Sequence, residues 1–236
     1  DSAAMIDLDL PWTVEEIAQW ARDLLEHLSG DCLLRVLALE LSEGREEKLI
    51  AMLPQLLPRY PALYYQEGVR VVTYEGRRHM PACKSLNTLV NVLARRRATC
   101  LGAHEAILCS AGRLTEGSRS NIFAVYQGEL LTPPRDQVLP GITRDIVMRL
   151  ANEAGYRVRE RDLWLAEVDR YKEFFITSTS MHIIPVVEID GVRIGDGCVG
   201  HVTSELMQRF AAYHRRYFET RRRYEPSAAV LAPRSR

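Results

Sequence analysis

Lysine-dependent chemistry in this chain can come only from three positions. The 236 residues contain 31 lysines and arginines, and all but Lys48, Lys84 and Lys172 are arginines. An unprotonated lysine amine can attack an aldehyde or carry a proton. Lys48 and Lys172 stand beside charged residues, which predicts that both face solvent. Lys84 comes between a predicted strand and a predicted helix, where it could point from a sheet into a pocket, although an ordinary surface lysine also fits this position.

A carboxylate that could be held rigidly occurs in the segment Leu-Thr-Glu-Gly-Ser-Arg-Ser-Asn. Its glutamate is Glu116, and a predicted strand begins soon afterwards at Ile122. Hydrogen bonds from small polar neighbours favour the ionised form of a carboxyl group. The alternative is a turn with a solvent-facing acid, because glycine, serine and asparagine also favour turns for local reasons.

Two further segments could bind a phosphate group. Residues 141–143 (Gly-Ile-Thr) begin a predicted helix, and the first amide groups of a helix attract anions. Residues 177–180 end a predicted strand with four consecutive hydroxyl side chains. Each segment also has a local explanation, since Thr143 could simply cap its helix and the hydroxyl residues could form a polar turn.

The predicted elements around these residues mix helices with hairpins. Thr13 and Glu16 predict a capping box at the start of a helix that Gly30 ends, and hairpins are predicted around residues 127–128 and 190–191. The other predictions are strands at 33–41, 69–74, 106–109 and 174–177, an amphipathic segment at 49–57, and helices at about 85–100, 141–155 and 202–217. This mixture predicts an α+β fold in two domains.

The composition argues against several classes of protein. The formal net charge is +0 at pH 7, which gives no support to nucleic-acid binding. The apolar stretches are too short to span a bilayer, and the N-terminal residues do not resemble a secretory signal, so we expect a cytoplasmic protein without a membrane partner. The 5 cysteines and 6 histidines are scattered, so we expect neither a disulfide framework nor a metal site.

In their order along the chain, these segments resemble the class IV, or fold-type IV, pyridoxal-phosphate enzymes. The family includes D-amino-acid aminotransferase, branched-chain aminotransferase and aminodeoxychorismate lyase. The similarity covers roughly residues 66–208 and extends more weakly back to the helix at Thr13. The segments that carry it are 84–87 (Lys-Ser-Leu-Asn), 91–94 (Asn-Val-Leu-Ala), 105–108 (Glu-Ala-Ile-Leu), 115–118 (Thr-Glu-Gly-Ser), 120–123 (Ser-Asn-Ile-Phe), 131–134 (Leu-Thr-Pro-Pro), 139–144 (Leu-Pro-Gly-Ile-Thr-Arg) and 177–179 (Thr-Ser-Thr) with Pro185.

The resemblance implies a role for each candidate residue. Lys84 resembles the lysine that forms a Schiff base with pyridoxal 5'-phosphate and moves a proton at the substrate carbon. Glu116 resembles the partner of the cofactor ring nitrogen, which it keeps protonated so that the ring withdraws electrons. Leu139 is similar to the apolar residue that packs on the ring face. The groups that resemble the phosphate-binding residues are Ile142, Thr143, Ser178 and Thr179.

The reaction that the resemblance implies is a ping-pong transfer of an amino group from an amino acid to a 2-oxo acid. Arg45 could bind the substrate carboxylate, and Arg77 could influence Lys84 or the substrate. The loop at 41–45 lacks the arginine-and-histidine pattern of typical D-amino-acid enzymes. Residues 84–87 resemble the D-amino-acid branch, whereas residues 144–145 and 158–161 favour the branched-chain one, so both classes of donor stay open.

Two other functions remain as alternatives, namely a pyruvate-releasing aminodeoxychorismate lyase and a non-catalytic homologue. The hydroxyl groups of Ser178 and Thr179 favour an aminotransferase over the lyase. We also expect a homodimer, because the site in this family resembles a cleft completed by a neighbouring subunit.

The first residues resemble those that follow the phosphate-binding arginine of the family. We therefore expect that a segment with further strands, a substrate-facing tyrosine and that arginine is missing from this chain. A deliberate fragment and a degenerate chain are the alternatives. Residues 1–60 would then be the remainder of a small α/β domain, apparently incomplete. We expect residues 66–218 to form a large cofactor-binding domain and residues 219–236 to be a C-terminal tail.

Overall fold

The computed structural model describes residues 1–42 and 47–222, and this part of the chain has the predicted α+β fold. Its helices are α1 (Val14–Glu26), α2 (Ala62–Gln66), α3 (Leu89–Cys100), α4 (Ile142–Glu153) and α5 (His201–Arg222). Its strands are β1 (Cys32–Glu40), β2 (Lys48–Leu56), β3 (Val69–Glu75), β4 (Glu105–Ser110), β5 (Arg113–Gly117), β6 (Asn121–Tyr126), β7 (Glu129–Thr132), β8 (Arg157–Glu160), β9 (Leu163–Trp164), β10 (Glu173–Ser178), β11 (His182–Ile189) and β12 (Val192–Arg193).

A 10-stranded mixed sheet forms the body of the molecule. Its strand order is β8-β7-β6-β10-β11-β3-β4-β5-β9, and β12 pairs with β11. Strand β3 runs parallel to both β4 and β11, and β7 runs parallel to β8. Parallel neighbours need a crossover connection, and α3 provides the one between β3 and β4. Lys84 lies in this crossover, in the loop that leads from β3 to α3.

The sheet buries apolar side chains on both faces. Strand β10 crosses the centre, and its residues alternate between the faces as strand geometry requires. Phe174 and Ile176 belong to the cluster against which Tyr64 and Tyr65 pack. Phe175 belongs to the opposite cluster, where α4 and α5 pack.

Small side chains let α3 approach the sheet closely. Ala94 and Ala98 are 0% and 1% exposed, and they pack on buried residues of β4. Residues four apart lie on one face of a helix, so this pair forms a flat strip that contacts the strand. The loop that carries Lys84 is therefore attached at both ends to well-packed elements.

The predicted capping box is present at the start of α1. Glu16 donates its amide to Thr13 Oγ1 at 3.2 Å, and Glu16 Oε2 accepts the Thr13 amide at 2.8 Å. Strands β1 and β2 pair antiparallel along their full length. The amphipathic segment predicted at residues 49–57 is thus a strand, whose partner β1 could not be read from its own pattern.

The helix predicted from residue 85 begins four residues later, at Leu89. The Thr88 amide donates to the Leu86 carbonyl at 2.8 Å, which makes a tight turn in place of the first helical turn. The predicted boundary between residues 60 and 66 coincides with α2, and the division into domains stays a prediction. None of the helices in the described part of the chain has an apolar stretch long enough to cross a membrane.

A carboxylate in β10 caps the longest helix. Glu173 accepts the amides of Val202 at 3.0 Å and Thr203 at 2.7 Å, together with the Thr203 hydroxyl at 2.7 Å. A Cβ atom at Gly200 would overlap the Glu173 carboxyl group, so glycine is required where the chain enters α5. This contact ties the centre of the sheet to the first turn of α5.

We expect Glu173→Ala to lower the free energy of unfolding by about 2 kcal/mol, because it leaves the first amides of α5 without a partner. The measurement is urea denaturation followed by circular dichroism. Glu67→Ala is the matched control at an exposed glutamate and should change stability by less than about 0.5 kcal/mol. Equal losses for the two variants would show that the cap does not stabilise the fold.

Candidate active site

The loop that carries Lys84 is held through its backbone. The Lys84 amide donates to Ser2 Oγ at 2.9 Å. The guanidinium of Arg78 donates to the Pro81 carbonyl at 2.8 Å and to the Cys83 carbonyl at 2.5 Å. Lys84 as a whole is an exposed residue, while its amine is partly withdrawn from water.

The surroundings of Lys84 favour its unprotonated form. Loss of water around the amine is the largest cause that lowers the pKa of Lys84, and the positive charges of Arg78 and Arg35 lower it further. The negative charge of Glu116 opposes them, and the net direction is downward. Because only an unprotonated amine is a nucleophile, Lys84 is suited to amine chemistry.

Glu116 lies in β5 and is 5% exposed, so it is not the acid of a solvent-facing turn. Its Oε2 accepts the Leu139 amide at 3.1 Å, and its Oε1 lies 3.4 Å from Arg78 Nη1. Both oxygens of the carboxyl group therefore have a partner, and their orientation is fixed from two sides.

Burial raises the pKa of Glu116, while the Leu139 amide and the positive charges of Arg78 and Lys84 act in the opposite direction. The net direction is upward. A further positive charge placed against this carboxyl group would favour its ionised form. An ionised Glu116 can therefore accept a hydrogen bond from a protonated ring nitrogen, which is the role that the resemblance implies.

The N-terminus of α4 provides amide groups for an anion. Its N-cap residue is Gly141, which has no side chain to cap the helix, and Thr143 stands too far along the chain to do so. The amides of Ile142 and Thr143 have no hydrogen-bond acceptor among the described residues. Unpaired amides at a helix N-terminus bind phosphate groups.

Asn121 connects this helix to the end of β10. Its Nδ2 donates to the Leu139 carbonyl at 2.7 Å, and its backbone pairs with Thr177 across the sheet. A Cβ atom at Gly141 would overlap Asn121 Oδ1, so glycine allows the close approach of the two segments. The segment before α4 and the end of β10, which carry the two predicted parts of the phosphate site, are thus linked through one residue, Asn121.

The hydroxyl residues 177–179, at the end of β10, have different environments. Ser178 ends β10 and its Oγ accepts the Met181 amide at 3.3 Å, while Thr179 is exposed in the turn. Thr177 Oγ1 is buried and has no partner among the described residues. A buried hydroxyl without a partner is costly, and a ligand oxygen would satisfy it.

The loop between β5 and β6 rests on a second buried carboxylate, Glu105. Its Oε1 accepts the Ser118 hydroxyl at 2.5 Å and the Ala106 amide at 2.9 Å, and Arg119 Nε lies 3.6 Å from Oε2. A Cβ atom at Gly117 would overlap the Ser120 hydroxyl, which explains the glycine directly after Glu116.

The two substrate candidates, Arg45 and Arg77, remain predictions. Arg45 lies outside the described residues, and Arg77 is exposed. The adjacent Arg78 is 6% exposed and contacts Glu116. Two consecutive arginines carry the same local signal, so only the tertiary structure distinguishes them.

The arrangement fits pyridoxal phosphate at each part of that molecule. An amine with a lowered pKa suits the aldehyde, a buried carboxyl group suits the ring nitrogen, and free helix amides with an unpaired hydroxyl suit the phosphate. These groups come from the loops before α3 and α4 and from β5 and β10.

Two enzymes of known family are similar to the chain in sequence. Over 157 residues, the chain is 43% identical to a putative branched-chain-amino-acid aminotransferase of Methanocaldococcus jannaschii, a match that covers 64% of this chain and 54% of that protein. It is 34% identical to the D-alanine aminotransferase of Listeria monocytogenes, with 89% of this chain and 76% of that protein covered. The chain thus spans about half the length of the first relative and about three quarters of the second.

The fold is shared with a solved enzyme. The branched-chain amino acid aminotransferase of T.th. with pyridoxamine 5'-phosphate superposes with a TM-score of 0.82 at 26% identity, covering 89% of this chain and 74% of that one. The profile of the family described as Amino-transferase class IV matches residues 1–189. With that profile across most of the chain and with these relatives, this protein belongs to the class IV aminotransferase family.

Proposed function

We propose that this protein transfers an amino group between an amino acid and a 2-oxo acid, with pyridoxal phosphate as its cofactor. The observation that carries the proposal is the position of the buried Glu116 carboxyl group. Arg78 links it to the backbone of the Lys84 loop, and the Leu139 amide links it to the segment just before the free amides of α4. These contacts support one site with a reactive amine, a ring-nitrogen partner and an anion site.

Each residue has a defined task in this proposal. When bound, the cofactor supplies an electron-withdrawing ring that stabilises negative charge at the substrate carbon. Lys84 holds the cofactor in the resting enzyme and moves the proton between substrate atoms. Glu116 keeps the ring nitrogen protonated, and the amides of Ile142 and Thr143 bind the phosphate. The same lysine serves both half-reactions, which is consistent with a ping-pong sequence.

We propose a branched-chain L-amino acid as the donor. The similarity to the Methanocaldococcus protein, which has the higher identity of the two sequence relatives, supports this choice. D-alanine is the second candidate, because the Listeria enzyme matches a larger share of the chain. A homodimer is also part of the proposal, since Leu89, Val92 and Leu93 of α3 are exposed apolar residues that a second copy could cover.

The donor is tested with the visible spectrum of the protein loaded with pyridoxal phosphate. We expect L-leucine or L-valine to bleach the cofactor band and 2-oxoglutarate to restore it, and D-alanine to leave it unchanged. Bleaching by D-alanine alone would replace the proposed donor class. Pyruvate released from aminodeoxychorismate without any acceptor would replace the aminotransferase by the lyase. Absence of a cofactor band would contradict the proposed function itself.

We expect Lys84→Ala to abolish the cofactor band and to lower turnover by at least about 10³-fold, because the variant lacks both the holding amine and the proton carrier. Lys48→Ala and Lys172→Ala are matched controls, as these are the other two lysines in the sequence. Both controls should retain the band and the rate. A similar loss in either control would place the cofactor on another lysine.

We expect Glu116→Gln to bind the cofactor but to turn over about 10²-fold more slowly, because a neutral amide does not keep the ring nitrogen protonated. Single-turnover rates with the amino donor measure the effect. Glu67→Gln, at an exposed position, is the control and should match the unmodified protein. An unchanged rate in Glu116→Gln would remove Glu116 from the reaction.

A further inference from the structure

Arg78 is the one group that contacts both the lysine loop and the buried carboxyl group in the described residues. It is 6% exposed. Its Nη2 donates to the Cys83 carbonyl, directly before Lys84, at 2.5 Å, and its Nη1 donates to the Pro81 carbonyl at 2.8 Å. The same Nη1 lies 3.4 Å from Glu116 Oε1. A planar guanidinium presents several donors in a fixed geometry, so Arg78 can brace its own loop and hold that loop against the carboxyl group on β5.

The positive charge of Arg78 acts on both Lys84 and Glu116, whose protonation states influence each other. A negative Glu116 favours the protonated form of Lys84, which cannot react. The positive Arg78 lowers the pKa of Lys84 and also opposes the rise in the pKa of Glu116. A neutral amine and an ionised carboxylate are the two states that the reaction needs, and one cation favours both.

We propose that Arg78 is a positioning residue of the reaction, which ties the Lys84 loop to Glu116 and screens the amine from the carboxylate. The proposal rests on the proposed function for the roles of Lys84 and Glu116. It assigns no contact between Arg78 and the substrate. The other charged groups that act on the amine are Glu116 and, from β1, Arg35.

The test is the pH dependence of amine labelling at Lys84 in the full chain freed of cofactor. Trinitrobenzenesulfonate modifies only unprotonated amines, and peptide mass spectrometry reports each lysine separately. Lys48 and Lys172 serve as internal references in every sample. This readout needs no turnover, so a failure of the proposed function, seen as a missing cofactor band, is distinct from a failure of this proposal.

We expect Arg78→Met to slow the labelling of Lys84 by at least about threefold at about pH 8 and to move its profile to higher pH, because the amine loses a neighbouring cation. Glu116→Gln should act in the opposite sense and speed the labelling. Arg78→Lys keeps the charge but not the fork of donors, so it should retain the profile of the unmodified protein and bind the cofactor more weakly. Opposite shifts in the first two variants would not arise from a purely structural clamp.

Arg96→Met is the matched control, because Arg96 is an exposed arginine on the outer side of α3. It should leave the labelling of all three lysines unchanged. If Arg78→Met does not fold, Arg78→Met with Glu116→Gln removes both buried charges together, and its Lys84 should label more slowly than in Glu116→Gln alone. Labelling of Lys84 at the unmodified rate and pH profile in Arg78→Met, or at the Glu116→Gln rate in the double variant, overturns the proposal.

Discussion

The removal of one carboxyl group from water is the constraint on which this site depends. Glu116 is 5% exposed, and a buried carboxyl group is stable only with hydrogen-bond partners or an opposite charge. The Leu139 amide is the hydrogen-bond partner of Glu116, and Arg78 supplies the opposite charge. The partners belong to the loops before α4 and α3, so satisfying a single side chain brings the anion site and the lysine loop together. The pair stabilises the folded state only while both members are present.

A second buried carboxyl group, that of Glu105 in the neighbouring strand β4, also needs hydrogen-bond partners or an opposite charge. This residue is 0% exposed and receives hydrogen bonds from the loop between β5 and β6. These strands are consecutive in the chain but are separated by four others in the sheet order. The sheet must therefore curl until their ends meet, and the tight loop at Gly117 makes that connection. Two buried acids thus shape the part of the fold where the candidate cofactor groups converge.

The groups that we propose for cofactor binding lie in the well-packed part of the fold. The lysine, the carboxyl group and the helix amides lie on or beside packed strands and helices, where small displacements are resisted by the core. The two sequence relatives belong to one family and yet bear the names of a branched-chain and a D-alanine enzyme. The shared scaffold by itself therefore does not identify the amino donor.

The sequence by itself determined the elements and the chemical inventory of the site. The capping box at Thr13, the hairpins and the periodic helices are local patterns, and the order of motifs around Lys84 and Glu116 was enough to indicate the family. The strand character of β2 was not determined locally, because it depends on pairing with β1. The late start of α3 follows from the tight turn at residues 86–88, which the apolar periodicity of the helix did not reveal. The choice of Arg78 over Arg77, and the role of Asn121 between Leu139 and Thr177, were decided only by the tertiary structure. Adjacent or polar residues of one type carry the same local signal, and only burial against a distant partner distinguishes them.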